Sequence, residues 1–210
     1  MKKYDRQADT IQINKHHIPI CISDWFALGI TKFMRYWADI FFAHRYDHRA
    51  VVLETIAALP GMIGGTHQHL CSLRRMISDR GWINTLLDEA ENERMHLMTF
   101  INVTRITLFE RMLVRIVQVV FYSAFFVFYF LFPKTAHRII GYFEEEAVYS
   151  YTEYLAGVEN GVFSNVPAPQ IAIEYWHLPP NARLRDVIIE VRADEAGHRD
   201  VNHGFADELA

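Results

Sequence analysis

The chain has 210 residues, of which 51% are apolar, 14% aromatic and 22% charged, with a formal net charge of −4. That length fills one domain with a sizeable core, and the acidic balance excludes a nucleic-acid binder, which needs a basic excess to neutralise phosphates. A mean hydropathy of +0.01 excludes a multi-span membrane protein.

Residues 1–22 lack clear periodicity and read as an N-terminal arm, leaving 23–210 as a single domain. The opening MKKYDRQADT carries neither an apolar signal core nor an Arg/Ser-rich import sequence. This favours the cytoplasmic side of a bacterium, or the mitochondrial matrix if a presequence has been removed. An aromatic amphipathic helix is expected from about Asp24 to Ala43, and a second from about Arg49 to Met76. The second contains Pro60-Gly61 and Gly64-Gly65, which mark either a kink or a close helix approach. Strong helical patterns follow from about Trp82 to Asn102 and from Thr104 to Phe132, where Pro133 stops the run. A fifth helix covers about Thr135 to Gly157, a proline-rich loop 160–181, and a last helix Leu184 to His203. No convincing period-2 alternation appears, so the fold class is all-α, with four helices long enough for a bundle. Cys21 and Cys71 have no ligand or disulfide spacing.

The longest uncharged apolar run in the fourth helix, Val119 to Phe132, is 14 residues. Crossing the hydrocarbon core takes roughly 17–25 residues. Together with the 24–43 helix and its Lys32 and Arg35, it is expected to lie in one leaflet as a hydrophobic membrane-binding face.

Two sequences carry the chemistry. Glu93 and His96, and again Glu195 and His198, stand three residues apart on confident helices, so each pair shares a helix face. Two facing helices then supply two carboxylates and two imidazoles, and a Glu from each of two further helices completes the ligand set of a dinuclear bundle site. Such donors suit iron. Glu54 is a lone carboxylate in an apolar stretch, costly to bury unless paired or metal-bound. The triplet Glu144-Glu145-Glu146 points in three directions, and spacing does not choose among them. Asn92 and Asp194 precede the two motifs and are placed to orient the imidazoles from behind.

The strings LETIAALPGMIGG, NERMHLMTF, GYFEEEAVYSYT and RADEAGHRDVNH resemble the motif blocks of the alternative oxidases, the cyanide-insensitive ubiquinol oxidases, over roughly Arg35 to Ala206. The resemblance implies a ferritin-like di-iron four-helix bundle with two further membrane-binding helices. It implies iron ligation by Glu54, Glu93, His96, Glu144, Glu195 and His198, which selects Glu144 from its triplet. Tyr151 becomes a redox-active residue beside the metals, and Asn92, Asp194, Tyr175 and Trp176 become the residues supporting them. The quinol pocket would draw on Arg49, Leu53, Glu146, Ala147, Arg35, Asp39, His69 and His137. Phe143 stands where a leucine is expected, and Ser150 where a threonine is common; both adjoin that pocket.

The implied reaction oxidises two ubiquinols and reduces one O2 to two waters without pumping protons, in a homodimer. A quinone-biosynthesis hydroxylase, a ribonucleotide-reductase-like radical protein and an iron-storage bundle are the rivals. Glu89, on the same helix as Glu93, is expected to be dispensable.

Overall fold

Among the described residues, 12–43 and 45–209 of a computed structural model, seven helices make up most of the chain. The expected arm therefore falls partly outside the described residues. Its described part, 12–21, has a turn at Ile13-Asn14 but no helix or strand, and packs against α5 and α7.

Helix α1 spans Ile22–Phe42, α2 Tyr46–Arg75, α3 Trp82–Val103, α4 Leu108–Leu131, α5 Pro133–Glu159, α6 Gln170–Trp176 and α7 Leu184–Glu208. Packing pairs α2 with α3 and α5 with α7, which makes the four-helix bundle, while α1 lies on α5 and α4 bridges α2 and α5. Among the described residues the only β feature is an isolated antiparallel bridge between Pro167 and Arg183.

Two of the expected boundaries shift for identifiable reasons. Helix α4 begins at Leu108 because Thr107 and Glu110 form a capping box: Glu110 N–H donates to Thr107 Oγ1 at 3.2 Å, and Thr107 N–H donates to Glu110 Oε2 at 2.7 Å. The expected loop 160–181 contains the short α6, introduced by Pro169 and ended by His177 in the left-handed region.

Helix α2 runs unbroken through Pro60. Its small residues serve close approach: a Cβ on Gly61 would lie 2.5 Å from the backbone oxygen of Leu86 on α3, and one on Gly64 would meet Tyr129 Oη at 3.1 Å. The main core gathers Val51, Phe100, Tyr151, Tyr154, Trp176, Val187, Ile188 and Val191 at one end of the bundle. A second cluster joins Ile63, Phe125, Tyr129, Ala136 and Ile140.

Helices α1 and α4 run antiparallel, since Phe26 stacks near Phe128 and Phe41 near Phe109, each at 6.4 Å between ring centroids. Their outward faces expose Trp25, Phe33 and Trp37 on α1, and Met112, Val119, Val127 and Phe130 on α4. Helix α4 has 24 residues and is long and apolar enough to cross a membrane by length and composition alone, with 11% of its most apolar window buried. The 14-residue count from sequence therefore understates it: the flanking Arg111, Arg115 and Gln118 are part of the same continuous helix.

Strap 12–21 is tied down by charge. The buried guanidinium of Arg138 donates to Asp24 Oδ1 at 2.8 Å and to Nδ1 of His203 and His17 at 2.9 and 3.2 Å, and it also pairs with Asp207. Arg199 donates to the backbone oxygens of Gln12 and Ile13, both at 2.8 Å. Glu145 Oε1 accepts from the His17 amide at 2.8 Å, and its carboxylate also meets His16 and His203.

Candidate metal centre

The i, i+3 spacing turns Glu93 and His96 inward from α3 and Glu195 and His198 inward from α7. Glu54 reaches the same point from α2 and Glu144 from α5, so the structure brings together all six ligand positions expected from the sequence. All are buried, His96 completely. They form two overlapping groups, Glu54, Glu93, His96 and Glu195, and Glu93, Glu144, Glu195 and His198, in each of which the donor atoms lie within 4.8 Å of one another. Glu93 and Glu195 belong to both groups, so each could contribute to both halves of a dinuclear site.

The donors converge without satisfying one another. His96 Nδ1 is 3.3 Å from Glu195 Oε1, 3.4 Å from Glu93 Oε2 and 3.7 Å from Glu54 Oε2. His198 Nδ1 is 2.6 Å from Glu93 Oε1. Yet Glu54 Oε2, both Glu93 oxygens and both Nδ1 atoms lack a well-aligned hydrogen-bond partner. Burial pushes Glu54 up to about 8, helped by the Glu93 charge, and does the same to Glu195. Burial likewise drives Glu144 far above the usual carboxylate range, reinforced by Glu195. Glu93 is pushed upward by burial too, but His96 and His198 outweigh it and hold the carboxyl well below its ordinary value. Burial lowers both imidazoles, but Glu93 outweighs it, raising His96 well above its ordinary value and His198 to about 9. Three of the four buried carboxylates, Glu54, Glu144 and Glu195, and both imidazoles thus hold protons where cations would otherwise sit. Two divalent cations would neutralise four ionised carboxylates with both histidines neutral, so the donor set fits a dinuclear metal centre.

Support from behind is dense around His96. Its Nε2 faces Asp194 Oδ2 at 3.4 Å. That oxygen also accepts from Asn92 Nδ2 at 3.0 Å and from Trp176 Nε1 at 2.8 Å, and Asn92 donates to Tyr175 Oη at 3.0 Å. The four residues expected to support the metals therefore form one connected network. Tyr151 Oη donates to Glu54 Oε1. Burial and the Glu54 charge keep it a neutral phenol by raising its pKa well above 10.

A largely apolar pocket runs from α1 down between α2 and α5, ending on Glu54, Glu93, Glu144, Glu195 and Tyr151. Arg35, Arg49, Leu53, Glu146 and Ala147 line it, as do Phe143 and Ser150. Asp39 stands at the rim, accepting from Arg35 Nε at 2.8 Å and pairing with Arg49. Arg35 also donates to Glu146 Oε2 at 2.8 Å. His69 and His137 are not among the lining residues. His69 is exposed on the outer side of α2. His137 is buried, between Tyr129 Oη at 2.7 Å and Asn202 Oδ1 at 2.9 Å; burial lowers it to about 4.

Glu89, expected to be dispensable, is not on the solvated face of α3. It is buried, and burial pushes it up to about 7. Asn202 donates to Glu89 Oε1 at 2.8 Å. The signal was in the spacing, since Glu89 lies four residues before Glu93 and Asn202 four after His198, each on its motif's inward face.

The alternative oxidase family matches residues 4–207. Among curated relatives, the mitochondrial ubiquinol oxidase of Batrachochytrium dendrobatidis is 58% identical over 194 residues, 92% of this chain and 61% of that protein. Mitochondrial ubiquinol oxidase 2 of Glycine max is 56% identical over 97% of this chain and 61% of its own length. Mitochondrial ubiquinol oxidase 1a of Oryza sativa subsp. japonica is 57% identical over 96% and 61%. The chain spans about three-fifths of the length of these relatives. With the family match running almost from end to end over a bundle that gathers these carboxylates and histidines, the chain belongs to the alternative oxidase family.

Proposed function

We propose that the protein is a ubiquinol:oxygen oxidoreductase with two iron ions held by Glu54, Glu93, His96, Glu144, Glu195 and His198. The overall reaction, two ubiquinols and one O2 giving two ubiquinones and two waters, uses every proton and electron the quinols release. The reaction balances without any proton being moved across the membrane. The observation that carries this reading is the apolar pocket that begins beside α1 and ends on the two donor groups. It offers a lipid-soluble reductant a route that avoids water.

When bound, the two iron ions supply the electron storage and oxygen binding that no side chain provides. The surrounding residues hold and orient. Arg35, Asp39, Arg49 and Glu146 neutralise one another at the pocket rim, so the quinol head passes a polar but uncharged gate. Leu53 and Ala147 enclose the ring. Tyr151, hydrogen-bonded to Glu54, can release its phenolic proton along that bond as it gives up an electron. The bundle excludes bulk water from Glu93 and His96.

The membrane reading places α1 and α4 in one leaflet of a respiratory membrane, with α4 lying in its plane. Packing along the length of α4 favours this over a span. Gln118 Nε2 donates to Thr55 O at 3.0 Å, and Tyr129, eleven residues further along α4, meets His137, so a crossing α4 would draw the polar bundle into hydrocarbon. A second copy of the chain suits the outer faces of α2 and α3, where Met62, Leu70, Leu73 and Leu87 are exposed.

The test is ubiquinol-dependent oxygen uptake by membranes carrying the protein, with cyanide present. Uptake is expected in the wild type and lost in Glu93→Ala. Activity that survives loss of both Glu93 and Glu195 would sink the centre, and quinone hydroxylation without net oxygen-to-water turnover would replace the oxidase reading.

A further inference from the structure

The supports behind the two histidines follow one plan with the helices exchanged. On one side, His96 belongs to α3 and is backed by Asp194 of α7, which is held by an amide on α3, Asn92, at 3.0 Å. On the other, His198 belongs to α7. Glu89 of α3 is held by an amide on α7, Asn202, at 2.8 Å, and the same amide nitrogen reaches the His198 backbone oxygen at 3.0 Å. Each carboxylate thus comes from the helix opposite its histidine, and each amide from the helix opposite its carboxylate. We propose that Glu89, fixed by Asn202, is the positioning residue for His198, the counterpart of Asp194 behind His96. The inference rests on the metal-centre reading above.

Three further observations support it. The second oxygen of Glu89 is buried and lacks a partner, so one acceptor is left over where the Asp194 side uses its own on an imidazole. His198 Nδ1 faces Glu93 and Glu195, at 2.6 and 4.0 Å, which leaves Nε2 as its outward nitrogen. A ligating imidazole usually donates that outward N–H to a carboxylate, which sets the tautomer and the ring plane. Finally, Asn202 is itself held in register. The same amide nitrogen donates to His198 O at 3.0 Å, and its oxygen accepts from His137, whose other nitrogen meets Tyr129 Oη. The Asp194 network ends on Trp176 and Tyr175 of α6. The Glu89 network ends on Tyr129 of α4, which ties the His198 half of the centre to the apolar surface helix.

The experiment is a cobalt titration of purified protein stripped of metal, comparing wild type, Glu89→Gln and Asp194→Asn. Both substitutions keep side-chain shape and leave an acceptor for the neighbouring amide. Wild type is expected to take two ions. Each variant is expected to weaken one of the two by about 10–100-fold. In the cobalt-loaded protein, the hyperfine-shifted exchangeable imidazole N–H resonances separate the sides. Glu89→Gln should speed solvent exchange of one resonance, and Asp194→Asn that of the other. Glu89→Gln titrating and exchanging like the wild type overturns the proposal while leaving the centre intact. A wild type that binds no ions overturns both. Thermal unfolding of the stripped variants checks folding, and Glu89→Asp, which keeps the carboxylate, should recover part of the lost affinity; equal loss in Glu89→Asp and Glu89→Gln also counts against it.

Discussion

Tyr151 gives its phenolic hydrogen to Glu54 across 97 residues of sequence, joining α5 to α2 at the floor of the apolar pocket. The hydroxyl meets the centre through Glu54, which belongs to one of the donor groups. Tyr151→Phe should therefore leave metal content unchanged while quinol-dependent oxygen uptake falls roughly a hundredfold. Iron analysis beside oxygen-electrode rates checks this; a parallel loss of iron would mean that Tyr151 only holds Glu54 in place.

Phe143 lines the same pocket. Replacing it with leucine removes about 1 kcal/mol of apolar contact, which is expected to raise KM for a short-chain ubiquinol analogue about fivefold and leave kcat within about twofold. A fall in kcat at constant KM would place Phe143 with the reacting groups rather than with the wall.

Close packing makes Gly61 sensitive. A methyl there meets the Leu86 carbonyl oxygen, a backbone atom that cannot swing aside. Gly61→Ala should cost about 1–3 kcal/mol, read by denaturant unfolding of the metal-free protein. Gly29, with open space around it, is the control.

On α4, Val119 and Val127 are exposed and touch no functional group. Glutamate at both positions should leave folding and metal content intact but lower binding to phospholipid vesicles about a hundredfold. Unchanged vesicle binding would remove α4 from the membrane contact.

The strap carries a pH dependence of definite sign. Arg138 can only donate, so His17 Nδ1 must accept from it, on a ring stacked 4.6 Å from His203. Burial, then Arg138 and His203, lower the His17 pKa below 6.5, against the opposing pull of Asp24 and Asp207. The fastened strap thus binds fewer protons than the released one. Its attachment is complete above pH 6.5 and weakens as pH falls below that value. Tyr142 and Glu145 on α5 and His16 on the strap also face this cluster. The protection factor of the His17 amide, the exchange rate of an unstructured amide at the same pH divided by its own, should fall below pH 6.5 in the wild type and lose that dependence in His17→Gln.

How much of this was legible in the sequence depends on which force set each feature. The Glu-x-x-His pairs were readable because helical spacing alone puts both side chains on one face. Glu54 was readable because an unpartnered carboxylate in apolar surroundings is too costly to be accidental. The triplet was only half readable. Its members diverge as helix geometry requires, with Glu144 turned to the centre, Glu145 to the strap and Glu146 to Lys32 and Arg35 at the pocket rim. Which one turns inward is fixed by how α5 seats on α7. Helix α6 was hidden by its prolines, and its seven residues are held by Trp176 packing near His96, a tertiary contact. Arg138 and Asp24, 114 residues apart, leave no local trace at all.

The strap has a consequence for how the protein is made. Lys15 pairs with Asp200 and Arg199 holds the backbone at Gln12 and Ile13, at separations of 185 to 187 residues. Helices α1 and α4, with their apolar faces, leave the ribosome well before α7 does. During synthesis the strap must wait unfastened while the oily helices are already exposed, since its anchors do not yet exist. Closing the strap and completing the donor set both depend on the arrival of one stretch of α7, His198 to Asp200, so the nascent chain displays these apolar faces before it can assemble the metal centre.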